Sequence, residues 1–166
     1  MVRMTGSFLK QLEQSPDGVF HTITRLNPNK VWLGGEITQV NDIEASESIV
    51  PGSLIERWIS GTTIRFRNRT SVTGAVPPEF ALDHPMANKG VDDAYAAGDL
   101  VEAGMGQPGA VFWAFIASGA TVVAGGQLQP VSGGTLAAGT TNPIASSLES
   151  KFNGGPGNMR VRVETF

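Results

Sequence analysis

A long uncharged interval constrains this chain more than any other feature of its sequence. No Asp, Glu, Lys or Arg occurs between Glu102 and Glu149. Inside or just before the interval, glycine turns lead three times into a hydrophobic pair, at Gly98-Asp99-Leu100-Val101, Gly125-Gly126-Gln127-Leu128 and Gly133-Gly134-Thr135-Leu136. Glycine adopts positive φ without a Cβ penalty, so each motif can turn a strand sharply. The interval therefore predicts a compact β unit with tight corners.

The chain from Gly90 onwards has the pattern of short strands separated by turns. Most of the 21 glycines lie there, and each apolar segment is bounded by turn-forming residues. The strand candidates are Leu100–Ala103, Ala110–Ala117, Ala120–Ala124, Gln127–Val131, Ala145–Glu149 and Met159–Phe166. Short strands at near-regular spacing are typical of sandwiches and barrels, not of βαβ folds. We therefore predict an all-β fold, a small β-barrel of short strands.

The N-terminal third predicts an extended arm followed by strands. Ser7 could cap a short helix that ends at Ser15-Pro16. Gly18–Leu26 is a first extended candidate, and Lys30–Val40 is a second. Because Gly34-Gly35 interrupts the second segment, we expect a bend or bulge there.

The middle of the chain predicts a turn, a strand and a connector. Pro51-Gly52 is a favoured pair for a type II turn. The segment Ser53–Ile59 fits a strand or a single helical turn, and Thr62–Thr70 alternates like a strand. Three prolines in Val76–Asn88 favour an extended connection. We assign residues 1–48 to an N-terminal arm and strand segment, and residues 49–166 to a β-rich domain.

The composition excludes several classes of protein. A formal net charge of −3 gives no bias towards nucleic acid. The chain has no cysteine, so it has neither a disulfide framework nor a thiolate zinc site. The most apolar stretch, Ala110–Ala124, is interrupted by polar residues and is shorter than the about 20 residues that a spanning helix needs. We expect a soluble protein with no nucleic-acid and no membrane partner.

One motif matches the dinucleotide-binding pattern G-x-G-x-x-G, at Gly104–Gly109. A dinucleotide site needs this pattern between a strand and a helix. Here the aromatic and β-branched run Ala110–Ile116 follows, which favours a strand. We therefore interpret Gly104–Gly109 as a hairpin loop, and we predict no cofactor.

One acidic cluster has the residue types of a metal or acid–base site. It comprises Asp83, His84, Asp92, Asp93, Asp99 and Glu102. Carboxylates and histidine can bind a divalent cation, but these acids fall at turns, where Asp commonly caps its own backbone. We favour turn acids beside a surface histidine, and predict neither catalytic nor metal residues. A small metal-dependent β-barrel enzyme using His84 remains the less favoured alternative.

Two groups of side chains are the candidate contact residues. Arg65, Arg67 and Arg69 alternate with apolar residues, so a strand would point the three arginines to one face. That face is either solvated or paired with an acidic protein surface or a neighbouring subunit. Phe112, Trp113 and Phe115 also alternate, so at least one should lie off the core face.

The uncharged interval itself indicates a protein interface. Interface cores are depleted in charge and enriched in aromatic residues. We therefore expect self-association or a partner contact in this region. The open alternative is that small residues simply make a bland surface.

The order of the turn motifs carries a family resemblance. The matching blocks are Val50–Glu56, Asn88–Val101, Ala117–Leu128, Gly133–Leu136, Ala145–Glu149 and Arg160–Val163. In this order they resemble the capsid decoration (head stabilisation or cement) proteins of tailed bacteriophages, over roughly Ile49 to Phe166. The chain departs from the family at Gly125-Gly126, where relatives often have a Gly-Asp pair.

The resemblance implies a structural role in a virion. It implies a barrel-like or tulip-like domain, and a homotrimer that clamps neighbouring major capsid proteins on the capsid, with an outer position expected. The contact residues would then include Arg65, Arg67, Arg69, Phe112, Trp113 and Phe115. A third possibility is a carbohydrate-binding virion module that uses Trp32, Trp58 or Trp113 as a stacking platform.

Overall fold

The fold of the described residues is almost entirely β-structure, as predicted. The computed structural model describes residues 30–72 and 77–166, and the backbone of two short strands at residues 12–14 and 20–22. The strands are β1 Leu12–Gln14, β2 Phe20–Thr22, β3 Trp32–Gly34, β4 Ile37–Val40, β5 Leu54–Ser60, β6 Thr63–Asn68, β7 Glu79–Ala81, β8 Ala103–Gly106, β9 Val111–Ile116, β10 Thr121–Val122, β11 Gln127–Val131, β12 Thr135–Ala138, β13 Ala145–Ser147, β14 Lys151–Phe152 and β15 Met159–Thr165. One 3-10 turn spans Pro85–Ala87. Among these residues, no helix is long and apolar enough to cross a membrane.

Five strands close into a small barrel. The strand order is β12-β11-β13-β15-β9, and a parallel bridge between Leu136 and Ile116 joins β12 back to β9. The pairs within the circuit are otherwise antiparallel. Strand β3 extends the sheet from β9, with a bulge between Trp32 and Gly34. The tight glycine corners of the uncharged interval therefore serve a closed barrel.

The barrel interior follows the alternation of the sequence. In β9, Phe112, Ala114 and Ile116 are buried, while the residues between them are half-buried. In β15, Val161 and Val163 are buried in the same way. This two-residue period is the one expected for a sheet with one face on a core.

A second sheet packs against the barrel. Its strand order is β4-β8-β7-β5-β6. Leu54 and Phe80 join the barrel's apolar cluster, and the Phe80 ring stacks on Phe112 with centroids 4.5 Å apart. A Cβ at Gly106 would lie 2.8 Å from Cγ2 of Thr165. The glycine therefore permits the close approach of the two sheets.

The outer face of the second sheet is covered by two loops. Ile49 and Tyr95 form an antiparallel bridge between the loops, and both pack with Ile55 and Phe66 in a second apolar cluster. The Tyr95 hydroxyl donates a hydrogen bond of 2.8 Å to the carbonyl oxygen of Leu82. Two cores therefore lie on opposite faces of one sheet.

Residues 31–45 belong to this folded body. Val31 is buried in the barrel cluster, and β4 pairs with β8. The predicted bend between the two strands is confirmed at Gly35, where φ is +81°. It carries the chain from one sheet to the other. The turn at Pro51-Gly52 is also present, with a hydrogen bond from the Ser53 amide to the Val50 carbonyl.

One local prediction was wrong, one was incomplete, and one is tested only at its end. Ala103–Gly106 is strand β8, and Gln107–Gly109 turns the chain into β9 of the other sheet, so Gly104–Gly109 is not a hairpin loop. The proline-rich connector contains β7, which lies between β5 and β8. The predicted helix lies outside the described residues except at its end, where Leu12–Gln14 is a strand.

Candidate functional site

The β5–β6 hairpin runs past its neighbour in the sheet. Strand β7 pairs with β5 only at Leu54 and Ile55, whereas β6 pairs with β5 as far as Ser60. At the end of the hairpin, Ile59 and Ile64 face each other across the two strands and are 68% and 53% exposed. The hairpin is therefore a projecting ribbon with an apolar tip.

Two of the three predicted arginines share a face of this ribbon and are neutralised within the chain. Nε of Arg67 donates a hydrogen bond of 2.8 Å to Glu56, and its guanidinium lies 4.1 Å from the centre of the Trp58 ring. Arg65 lies 3.3 Å from a Glu44 carboxylate oxygen. Burial would raise the pKa of Glu56, but hydrogen bonds from Thr70 and Arg67 outweigh it and lower that pKa.

Arg69, the third predicted arginine, does not lie on an exposed face with Arg65 and Arg67. It follows the end of β6, is 3% exposed, and donates from Nε to the Ser71 carbonyl. Burial lowers its pKa. Arg57, on the other face of the hairpin, donates 2.7 Å to the buried Glu79, and this hydrogen bond raises the pKa of Arg57. The arginines therefore bind the two strands of the hairpin to each other and to neighbouring segments of the chain.

The three predicted aromatic residues divide between the interior and the exterior. Phe112 lies wholly inside the barrel, where it has no surface to offer to a partner. Trp113 and Phe115 are half-buried on the outer face, so the prediction that at least one lies off the core is confirmed.

Cations cover both outer aromatic rings. Lys151 and Arg162 approach the Trp113 ring at 5.1 Å and 5.9 Å. The guanidinium of Arg160 lies 4.4 Å from the centre of the Phe115 ring. A partner would therefore meet a mixed cationic and aromatic surface here, not bare rings.

A more exposed apolar surface lies nearby and was missed from the sequence. Val123, Leu148 and Phe152 are 59%, 39% and 63% exposed, and we call these three residues the apolar patch. Phe152 belongs to β14, which pairs with β10, and Val123 directly follows β10. Phe152 lies just outside the uncharged interval, beside Lys151, so charge depletion alone could not identify it.

The acidic cluster is dispersed over separate structural roles. Asp93 accepts a hydrogen bond from the Gly90 amide, and Asp99 accepts one from the Ala96 amide. That backbone bond, with help from Lys89, lowers the pKa of Asp99. Asp92 pairs with Arg160 at 2.6 Å. Across residues 30–72 and 77–166, no group of three His, Asp or Glu residues could hold a metal ion.

Asp83, His84 and Glu102 instead line a cleft between the barrel and the second sheet. Trp32 of β3 forms one wall, and Pro85 and Met86 form part of the rim. The other polar side chains at the cleft are those of Lys30, Gln39 and Asn41. We call this the Trp32 cleft. It exists because the ends of β4 and β7 and the start of β8 meet at one edge of the sheet, beside β3.

The comparisons with known proteins show a shared fold. No family model and no curated protein matches this sequence. Among solved structures, the chain is similar to the head fiber gp8.5 N base in bacteriophage phi29, with a TM-score of 0.53 and 14% sequence identity. The match covers 79% of this chain and 95% of that chain.

Proposed function

We propose that this protein is a structural component of a tailed-phage virion that binds the capsid. The observation that carries the proposal is the fold shared with the base of a phage head fiber, which spans most of both chains. The order of turn motifs between Val50 and Val163 supports the same class of protein independently of the fold. We propose no catalytic role.

In this proposal the protein cements contacts between major capsid protein subunits. A protein that binds only the assembled shell stabilises it by mass action. An oligomer that engages several subunits at once gains further affinity from avidity. We propose a homotrimer, seated on the outer surface of the shell.

Different surfaces suit the two kinds of contact. The apolar patch exposes Val123, Leu148 and Phe152 beside the ion pair of Lys151 with Glu149, and an apolar surface with a polar rim is typical of subunit interfaces. The β5–β6 hairpin projects from the body and ends in Ile59 and Ile64, which suits insertion into a pocket of the shell. Trp58 and its stacked Arg67 would flank that contact.

The direct test is to mix purified protein with capsids that lack it, and to image the shells by electron cryomicroscopy. We expect density at a repeated lattice position. An Ile59→Asp/Ile64→Asp variant should lose shell binding but remain folded, because both side chains are exposed in this chain. The control, Met86→Asp, changes an even more exposed apolar residue (94%) on another surface and should bind normally. Absence of wild-type density at every lattice position would refute the capsid role.

Substitutions in the acidic cluster test the capsid proposal against the alternative hypothesis of a metal-dependent enzyme that uses His84. His84→Ala and Asp93→Ala should leave shell binding unchanged, because neither residue lies on the hairpin or in the apolar patch. A shell-binding defect in these variants would count against the assigned contact surfaces.

A further inference from the structure

The Trp32 cleft combines an immobilised indole with polar side chains that have unused hydrogen-bonding capacity. Nε1 of Trp32 donates 2.9 Å to the Gly34 carbonyl, which fixes the ring, and the residue is 38% exposed. Asp83 is also fixed, because its Oδ1 accepts a hydrogen bond of 2.8 Å from the Val31 amide. The wall of the cleft is thus organised before any ligand arrives.

Several groups around the indole are uncommitted within the described chain. The side-chain amides of Gln39 and Asn41 make no hydrogen bond to any described residue, and Asp83 uses only one of its carboxylate oxygens. His84 and Glu102 face each other at 3.9 Å. Together these groups offer donors and acceptors on one rim and an aromatic face on another.

We propose that the Trp32 cleft binds a neutral saccharide. A pyranose presents an apolar C–H face, which packs on an aromatic ring, and hydroxyl groups, which both donate and accept hydrogen bonds. Amide and carboxylate side chains match those hydroxyls, and a concave site with a few convergent polar groups is the usual form of a small-ligand pocket. This inference does not depend on the capsid proposal.

The charges at the cleft favour a neutral ligand over an anionic one. Asp83 and Glu102 contribute two carboxylates, against the single ammonium of Lys30. A ligand carboxylate would be repelled by this pair, whereas sugar hydroxyls donate to it. The rim at Pro85 and Met86 adds apolar surface, which suits an acetamido methyl group.

The two exposed tryptophans offer a matched control. Trp58 is 42% exposed, close to the 38% of Trp32, but it lies on the hairpin under Arg67 and not in the cleft. A Trp58→Ala variant therefore removes an equally exposed indole without altering the proposed site.

The test is a titration with glucose, galactose and N-acetylglucosamine as neutral probes, and with N-acetylneuraminic acid as the anionic probe. Tryptophan fluorescence and saturation-transfer NMR up to about 50 mM sugar detect millimolar dissociation constants. We expect at least one neutral probe to bind, and more tightly than N-acetylneuraminic acid. Trp32→Ala should weaken that binding at least tenfold, and Trp58→Ala should leave it unchanged.

A second variant guards against loss of folding in Trp32→Ala. Gln39→Ala/Asn41→Ala removes two exposed side chains, so circular dichroism should remain that of wild type while sugar affinity falls at least threefold. The proposal is overturned if no neutral probe binds the wild type, if the anionic probe binds more tightly, or if the Trp32 and Trp58 variants behave alike.

Discussion

Arg160 of the barrel donates a hydrogen bond of 2.6 Å to Asp92, in a loop that covers the second sheet. The same guanidinium donates to the carbonyl oxygens of Pro51 and Val91 and lies over the Phe115 ring. One side chain therefore ties the barrel to both covering loops.

Replacing Arg160 with Met should destabilise the fold more than removing the charge of Asp92. The Arg160 side chain is 8% exposed, and its loss leaves two carbonyl oxygens without their donor, at about 1–3 kcal/mol each. We expect a free energy of unfolding lower by about 2–6 kcal/mol, measured by urea denaturation. Asp92→Asn, in which the altered side chain is 64% exposed, should cost less than about 1 kcal/mol. Equal losses would show that the ion pair, not the carbonyl contacts, dominates.

Adding a methyl group at Gly106 should separate the barrel from the second sheet. In Gly106→Ala the new Cβ would lie 2.8 Å from Thr165 Cγ2 and 3.0 Å from Phe112 Cε2. Overpacking of this kind typically costs about 1–3 kcal/mol. Gly34→Ala is the control, because no other atom lies within 4 Å of the Cβ that this substitution adds. Thermal denaturation should show a lower midpoint for Gly106→Ala alone, and a midpoint that does not fall would contradict this packing.

Tyr95 should make stability depend on alkaline pH. Burial raises the pKa of Tyr95 from 10.0 to about 12. As the pH rises, the unfolded chain therefore loses the phenolic proton before the folded chain does. The contribution of the protonated Tyr95 to the free energy of unfolding is complete below pH 10 and is lost as the pH rises to about 12. Because Tyr95 is the only tyrosine, its ionisation can be followed by ultraviolet difference absorbance.

The Tyr95→Phe variant tests the contribution of the Tyr95 hydroxyl to stability. Near neutral pH it should be less stable by about 1–2 kcal/mol, because the Leu82 carbonyl loses its donor. Between pH 10 and 12, its free energy of unfolding should fall less steeply than that of wild type. Parallel pH profiles would mean that Tyr95 ionises normally in the folded protein.

The apolar patch should control self-association if it is the subunit contact. Phe152→Asp places a charge on a side chain that is 63% exposed, so it should reduce the oligomer mass in light scattering without reducing monomer stability. Trp113→Asp alters a half-buried ring beside two cations and should have a smaller effect on mass. If the oligomer mass is unchanged in Phe152→Asp but Trp113→Asp is monomeric, the subunit interface lies on the Trp113 face and not at the apolar patch.

Local alternation predicted many of the strands but missed β7, β12 and β14, and it placed a strand at Leu100–Ala103 that overlaps β8 only at Ala103. It also could not predict how the strands were distributed between sheets. The pattern around Phe112 indicates a strand with one buried face, and in β9 every second residue is indeed buried. The pattern around Gly104–Gly109 indicates tight turning, yet part of it is strand β8. A glycine-rich strand and a glycine-rich loop look alike in sequence. Only the pairing of Ala103–Gly106 with β4 and β7 distinguishes them.

The candidate site was harder to predict than the fold, because it depends on distant partners. The alternation of Arg65 and Arg67 indicated a shared face, but their carboxylate partners come from other segments of the chain. The Trp32 cleft unites residues from β3, β4 and the ends of β7 and β8. No spacing rule links Trp32 to Asp83 or Glu102.

The sequence alone is enough to predict an all-β class, the positions of most turns and the absence of charge from the segment that supplies four of the five barrel strands. These follow from local physics: glycine relieves strain at positive φ, and a period of two separates a buried face from an exposed one. Only the tertiary structure decided that the barrel closes through Leu136 and Ile116, and that Phe112 is interior while Phe152 is exposed. It also decided that Arg57, Arg65 and Arg67 are paired with carboxylates of the same chain. Those outcomes depend on which segments meet in space, and contacts between distant residues leave no periodic signal in the chain.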